Sequence, residues 1–268
     1  EKYFYLDNKN MTIIPKNKKT VINENIFLPK NYKFKLFENF HLDLINGSTL
    51  ISKSNFVLNG KKDQRILISS SDNSSPGILI LDTIDQNIFN FVTFENFNNI
   101  SQKNRKTLGA INIYNSRIIL DNCIFENNKS EDSLNIVNSD FKIFNSVFKN
   151  SSSDSLDLDF SEGVIDNVSF INSENDAIDM SGGKVKMKNI YITGAGDKAI
   201  SSGEKNILIG NDIVLTKNAI GIASKDLSNI SLTRVVLENN NLAISAYQKK
   251  KVYGPSKIYL YEHKLTEN

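Results

Sequence analysis

One cysteine in 268 residues, Cys123, excludes an internal disulfide framework and leaves the redox compartment undetermined. No apolar run is long enough to span a membrane, and no secretory leader pattern precedes the first strand-like segment. Charge of one sign is missing as well, because 32 basic residues face 30 acidic ones. The balance conceals a pattern: residues 1–70 carry a net +6, residues 71–180 a net −10 and residues 181–268 a net +6. A basic stripe for nucleic acid is absent, and Lys249-Lys250-Lys251 reads as a solvated turn. The surplus in the middle third is acidic.

What the chain does contain is a short phrase written repeatedly between Asn122 and Asn239: DNCIFENN, FNSVFKNS, DNVSFINS, KNIYITGA, GNDIVLTK, TRVVLENN. Asparagines at Asn122, Asn145, Asn167, Asn189 and Asn211 recur every 22 or 23 residues, each followed three positions on by Phe125, Phe148, Phe170, Ile192 or Val214. A fixed period this short marks a solenoid whose coils bury their apolar faces only against one another. Helical repeats need roughly 33–47 residues, whereas coils of short strands fit in 20–29. Alternation such as Val168-Ser169-Phe170 supports strands, and the leucine consensus of leucine-rich repeats is absent. The period and alternation predict an all-β fold, a single-stranded parallel β-helix of about 22 residues per coil, right-handed on the resemblance given below. The asparagine column is expected to satisfy backbone groups in buried turns.

Residues 1–75 show no such register and are expected to form an N-terminal cap with the first irregular coils. Residues 76–268 are expected to be regular coils, cut short at the C-terminus where Lys264-Leu265-Thr266-Glu267-Asn268 repeats the phrase and stops. An insertion is expected at residues 98–107, because Phe94 and Phe125 stand 31 apart. Cys123, two residues before Phe125, reads as a small core filler. The opening on Glu1 without Met points to a piece of a larger protein.

The second strand of each coil carries the unusual residues. Asn135-Ile136-Val137, Asp157-Leu158-Asp159, Ala177-Ile178-Asp179, Ala199-Ile200-Ser201, Gly221-Ile222-Ala223 and Ala243-Ile244-Ser245 stack an apolar middle column between outward positions that are small or acidic. Small outward residues make a floor that a chain-like ligand can approach closely. Asp157, Asp159 and Asp179 lie within strands, where Asp is disfavoured, and their mutual repulsion calls for a compensating cation or positively charged group. Oxygen-rich clusters of this kind suit Ca²⁺, so these three are the candidate metal ligands. Asp154, Asp176 and Asp197 read as turn residues beside them, with Lys198 and Glu204 the nearest further charges. Candidate ligand contacts are Asn112, Tyr114, Asn135, Asp157, Asp159, Asp176, Asp197, Ser201 and Glu204, with Tyr114 placed to stack on a sugar ring.

The asparagine column, the stacked Phe125, Phe148 and Phe170, and the runs Asn175-Asp176-Ala177-Ile178-Asp179 and Gly196-Asp197-Lys198-Ala199-Ile200 resemble right-handed parallel β-helix proteins of the pectate-lyase-like superfamily. The resemblance covers roughly residues 76–246 and is nearest to β-helix modules of bacterial envelope or secreted proteins. It implies a groove along one sheet for polysaccharide, Ca²⁺ as cofactor, and a lysine or arginine base. That role would fall to Lys198, with Asp179 as its catalytic partner. Epimerases of this fold use an Asp-Pro-His-Asp motif that is absent here, and only His41 and His263 occur. The favoured expectation is a noncatalytic polysaccharide-binding or structural module of a larger extracellular or cell-envelope protein. A lyase or uronate epimerase and a trimeric fibre are the alternatives. The expected partners are a polysaccharide or envelope glycan, flanking domains of a longer chain and, for a fibre, further copies; no nucleic acid and no membrane span are expected.

Overall fold

The computed structural model describes residues 2–99 and 108–268. Every element among them is a strand, gathered into a ten-stranded and an eighteen-stranded sheet. Among the described residues no helix is long and apolar enough to cross a membrane.

The chain winds as a parallel solenoid. One strand of each coil joins the ten-stranded sheet, and the rest of the coil contributes to the eighteen-stranded one. Asp154–Asp159, for instance, pairs in parallel with Asp132–Val137 below, Asp132 opposite Asp154. Glu162–Ser173 then pairs with Lys184–Ala195 in the other sheet. Parallel pairing begins early, with Thr12 and Ile13 opposite Lys33 and Phe34, and only the first hairpin, Phe4–Asp7 with Thr12–Pro15, is antiparallel among the named strands.

Strand pleating explains the sequence pattern directly. Successive side chains face opposite sides, so Ile111, Leu134, Leu156, Ile178, Ile200 and Ile222 form one fully buried inner column. Across the interior, Phe94, Phe125, Phe148 and Phe170 stack with ring centroids 5.0, 4.5 and 4.9 Å apart. Cys123 is fully buried, and burial pushes its thiol up to about 12, as befits a core filler.

Two expectations about the asparagine column change. Asn145, Asn167 and Asn189 are exposed and Asn122 half-exposed, so they do not satisfy a buried turn. All four sit at bends with φ between 48° and 57°, and asparagine tolerates this left-handed conformation better than most residues. Asn167 also donates to Asn145 at 2.7 Å, while Asn145 and Asn189 donate to Asp121 and Asp166. The fifth position is Asp212, not Asn211, because Asn211 pairs with Lys188 and Ile213 with Ile190. The matching core residue is Leu215 rather than Val214, which faces the half-exposed side. The cause is one extra residue in the turn between Gly203 and Ile207, since Gly203 still lies opposite Ser181 but Ile207 lies opposite Lys184. Of the insertion expected at 98–107, residues 100–107 lie outside the described residues.

Candidate functional site

The outer face of the ten-stranded sheet carries three columns of side chains. The central one runs Leu79, Asn112, Asn135, Asp157, Asp179, Ser201, Ala223, Ser245. Beside it run Leu81, Tyr114, Val137, Asp159, Ser181 and Gly203. On the other flank, Gly109 lies opposite Asp132 and Asp132 opposite Asp154; one coil on, the backbone N–H groups of Asp176 and Lys198 donate to the Asp154 and Asp176 carboxylates. Each column is acidic in its middle. Six aspartates, Asp132, Asp154, Asp157, Asp159, Asp176 and Asp179, therefore share one floor.

This register corrects the expected alignment. Asp157 lies opposite Asp179, and Asp159 lies opposite Ser181. The closest acidic group is accordingly not Asp157, Asp159 and Asp179. Among the described residues, one oxygen each of Asp154, Asp176 and Asp179 come within 4.8 Å of one another. Each of the three has one oxygen engaged. Asp154 Oδ1 accepts from Asn175 Nδ2 and the Asp176 N–H; Asp176 Oδ1 from the Lys198 N–H and Nζ; Asp179 Oδ1 from the Met180 N–H and Lys225 Nζ. Among the described residues the second oxygens have no protein partner, a hard-oxygen set that fits a divalent cation completed by water or ligand oxygens.

Burial without full pairing raises the carboxyls. Burial first, then the field of Asp154, lifts Asp132; burial and the field of Asp132 lift Asp157. Burial pushes Asp154 up to about 7 against the hydrogen bond from the Asp176 N–H, and it raises Asp159 and Asp176 as well. The same acids keep the Tyr114 hydroxyl protonated, with burial and Asp132 pushing it up to about 12.

Several predicted residues have other duties. Asn112 is fully buried, its amide spent on Gly109 and on the Ile78 carbonyl. Asn135 is also fully buried and donates to Asp132 and Asp157 at 3.0 and 2.8 Å, but its Oδ1 has no partner. Ser201, beside Asp179, is equally buried with an unpaired Oγ. Asp197 is tied to Lys198 and Glu204 to Lys250. Burial opposes the charge on Lys198, but the hydrogen bond to Asp197 and the field of Asp176 outweigh it and raise its pKa. A lysine held as ammonium is a poor general base.

Asp132 and Lys225 were not anticipated. Asp132 was legible, since 132, 154 and 176 stand at the coil period. Lys225 was not: its ammonium reaches back two coils to Asp179, 3.5 Å away.

Residues 132–258 match the family model described as right handed beta helix region. That stretch is similar to a right-handed β-helix region. The whole floor from Asp132 to Lys225 lies inside it, and the solved structures similar to the chain share the architecture of this β-helix. The periplasmic alginate epimerase AlgG superimposes with a TM-score of 0.53 at 11% identity, covering 98% of this chain and 80% of that one. A point mutant of the same epimerase gives 0.52 at 10% identity with the same coverage. The catalytic unit of a thermostable GH87 alpha-1,3-glucanase from Streptomyces thermodiastaticus strain HF3-3 gives 0.45 at 8% identity, covering 92% of this chain and 61% of that one. At such identities the likeness is one of fold alone. No curated protein matches the sequence.

Proposed function

We propose that the chain is a polysaccharide-binding β-helix module of a secreted or envelope protein, holding a glycan along the outer face of its ten-stranded sheet. The observation that carries this reading is the gathering of six aspartates on that face, in the middle of its three columns. The similar architecture of a protein named as an alginate epimerase supports a glycan as the ligand class. On this reading Ca²⁺ sits at Asp154, Asp176 and Asp179, offsets their repulsion and accepts sugar oxygens into its remaining positions.

A second reading, acid–base catalysis on the bound glycan, is favoured by one observation. Asp157, raised by burial and the field of Asp132, and Asp132, raised by burial and the field of Asp154, are positioned to stay protonated near neutral pH beside other carboxylates on the same floor. Binding is preferred, because the residue expected to act as base, Lys198, is committed to Asp176 and Asp197.

The test is a melting curve with and without millimolar Ca²⁺, followed by calorimetric titration of neutral and uronic-acid polysaccharides. Ca²⁺ is expected to raise the melting temperature of the wild type and not that of an Asp154→Asn/Asp179→Asn double variant. The appearance of new reducing or unsaturated ends would instead establish the catalytic reading. Absence of any glycan binding would sink both.

A further inference from the structure

At the edge of the acidic floor the chain turns through a corner whose residues repeat in register: Asp82, Asn115, Asn138, Phe160, Gly182. All have φ between 48° and 73°. Asparagine, aspartate and glycine are the residues that tolerate this conformation; a bulky aromatic is an outlier there. Phe160 is also 61% exposed, in a solenoid whose other phenylalanines mostly fill the core. It interrupts a side-chain chain in which Asn138 donates to Asn115 and Asn115 donates to Asp82. Backbone preference does not account for an aromatic ring at this corner. Phe91 adopts the same conformation at another corner, φ 52°, but only Phe160 of the two is exposed.

The ring has a seat and a view. It rests against Gly182, where an added Cβ would lie 2.8 Å from its edge, so the glycine leaves room for it. It also lines a groove of about 470 Å³ together with Asn115, Arg117, Asn138, Asp140 and Glu162 among others. That size falls within the span of small-molecule clefts, about 300–1,000 Å³. Asp159, the preceding residue, faces out of the ten-stranded sheet, so the groove adjoins the acidic floor without a break in the chain. Both sides of the corner are thus open to one extended ligand.

We propose that Phe160 is a stacking platform for a neutral pyranose ring, and that the groove beyond it is a second subsite through which a polysaccharide leaves the acidic floor. This rests on the glycan-binding reading above and adds to it the class of sugar. The apolar C–H face of a pyranose covers the ring, while the amides of Asn115 and Asn138 and the charged groups of Arg117, Asp140 and Glu162 meet its hydroxyls. One arginine against two carboxylates leaves the groove slightly acidic, which favours a neutral ring over a uronate.

The chain lacks tryptophan, so Phe160→Trp places a sole indole reporter at the platform. Titration with cello-, laminari-, manno- and xylohexaose, set against hexamannuronate, is expected to shift its emission to the blue with a neutral sugar and to saturate. Phe160→Asn, which suits the backbone, is expected to stay folded and bind the same sugar about tenfold more weakly by calorimetry. If sugar binds, is lost in Asp154→Asn/Asp179→Asn, and yet leaves the indole silent and Phe160→Asn unaffected, the platform is wrong and the floor stands. If the indole responds while the floor variant binds normally, the platform stands and the floor reading falls. An emission shift that follows protein concentration rather than sugar assigns Phe160 to a contact between copies and overturns the proposal, as does the absence of binding by any sugar in the set.

Discussion

Phe160 and the asparagines of the bends show how one backbone requirement can be met or overridden at single residues. A left-handed φ costs an ordinary L-residue roughly 1–2 kcal/mol, less for asparagine. Asn138 and Asn115 accept that conformation and bond to their neighbours in the stack, whereas Phe160 adopts it and offers no amide to Asn138. Phe160→Asn is therefore expected to stabilise the fold by about 1 kcal/mol, read as a higher urea midpoint with unchanged slope. A variant that gains stability while losing sugar affinity would show that the strain serves binding. The aromatic core behaves oppositely. Phe148 stacks on both Phe125 and Phe170 with nearly parallel rings, and Phe148→Ala is expected to cost about 3–5 kcal/mol in the same denaturation experiment.

In the ten-stranded sheet the pleat separates stability from chemistry. Leu156 and Leu158 hold the strand to the core, and the residues between and after them, Asp157 and Asp159, face outward at no cost to that packing. The cost is electrostatic. Asp154 has an ordinary value of 3.8 and is pushed up to about 7 in the folded chain, so the folded state binds its proton more tightly than the unfolded state does. Stability then declines as pH rises from about 4 through about 7, and the raised Asp132 and Asp157 extend the decline to higher pH. The expected result is a melting temperature higher at pH 5 than at pH 8 in the presence of a chelator. Asp157→Asn should flatten that slope, and millimolar Ca²⁺ should reduce it by stabilising the ionised form. A melting temperature that climbs between pH 5 and 8 would count against the burial of these carboxylates.

For the whole molecule, the solenoid sets both how stability is distributed and where a ligand can lie. Each coil contacts mainly its neighbours, so protection is expected to be greatest in the middle and least at the ends. Amide exchange should accordingly be slowest in the strands Asp132–Val137 and Asp154–Asp159 and faster in Leu242–Tyr247, which pairs on one side only among the described strands. The acidic floor is thus expected to occupy the most protected coils, where a row of carboxylates can be held in fixed geometry. A ligand running along the coil axis meets the floor over several layers spaced about 4.8 Å apart.

The 22-residue period, the alternation of apolar and polar residues and the phenylalanine column determined the fold from the sequence alone, because a solenoid's contacts are between residues one coil apart and periodicity records them. The acidic face was legible for the same reason, and Asp132, Asp154 and Asp176 lie at that interval. The tertiary structure decided what periodicity does not carry. A one-residue insertion near Glu204 moved the bend from Asn211 to Asp212, and the pairing of Asp157 with Asp179 replaced the expected trio by Asp154, Asp176 and Asp179. It also decided which charges were already spent: Lys198 lies between Asp176 and Asp197, and Lys225 folds back over two coils to Asp179. Side-chain reach of that length depends on the rotamer, which leaves no mark in the order of the residues.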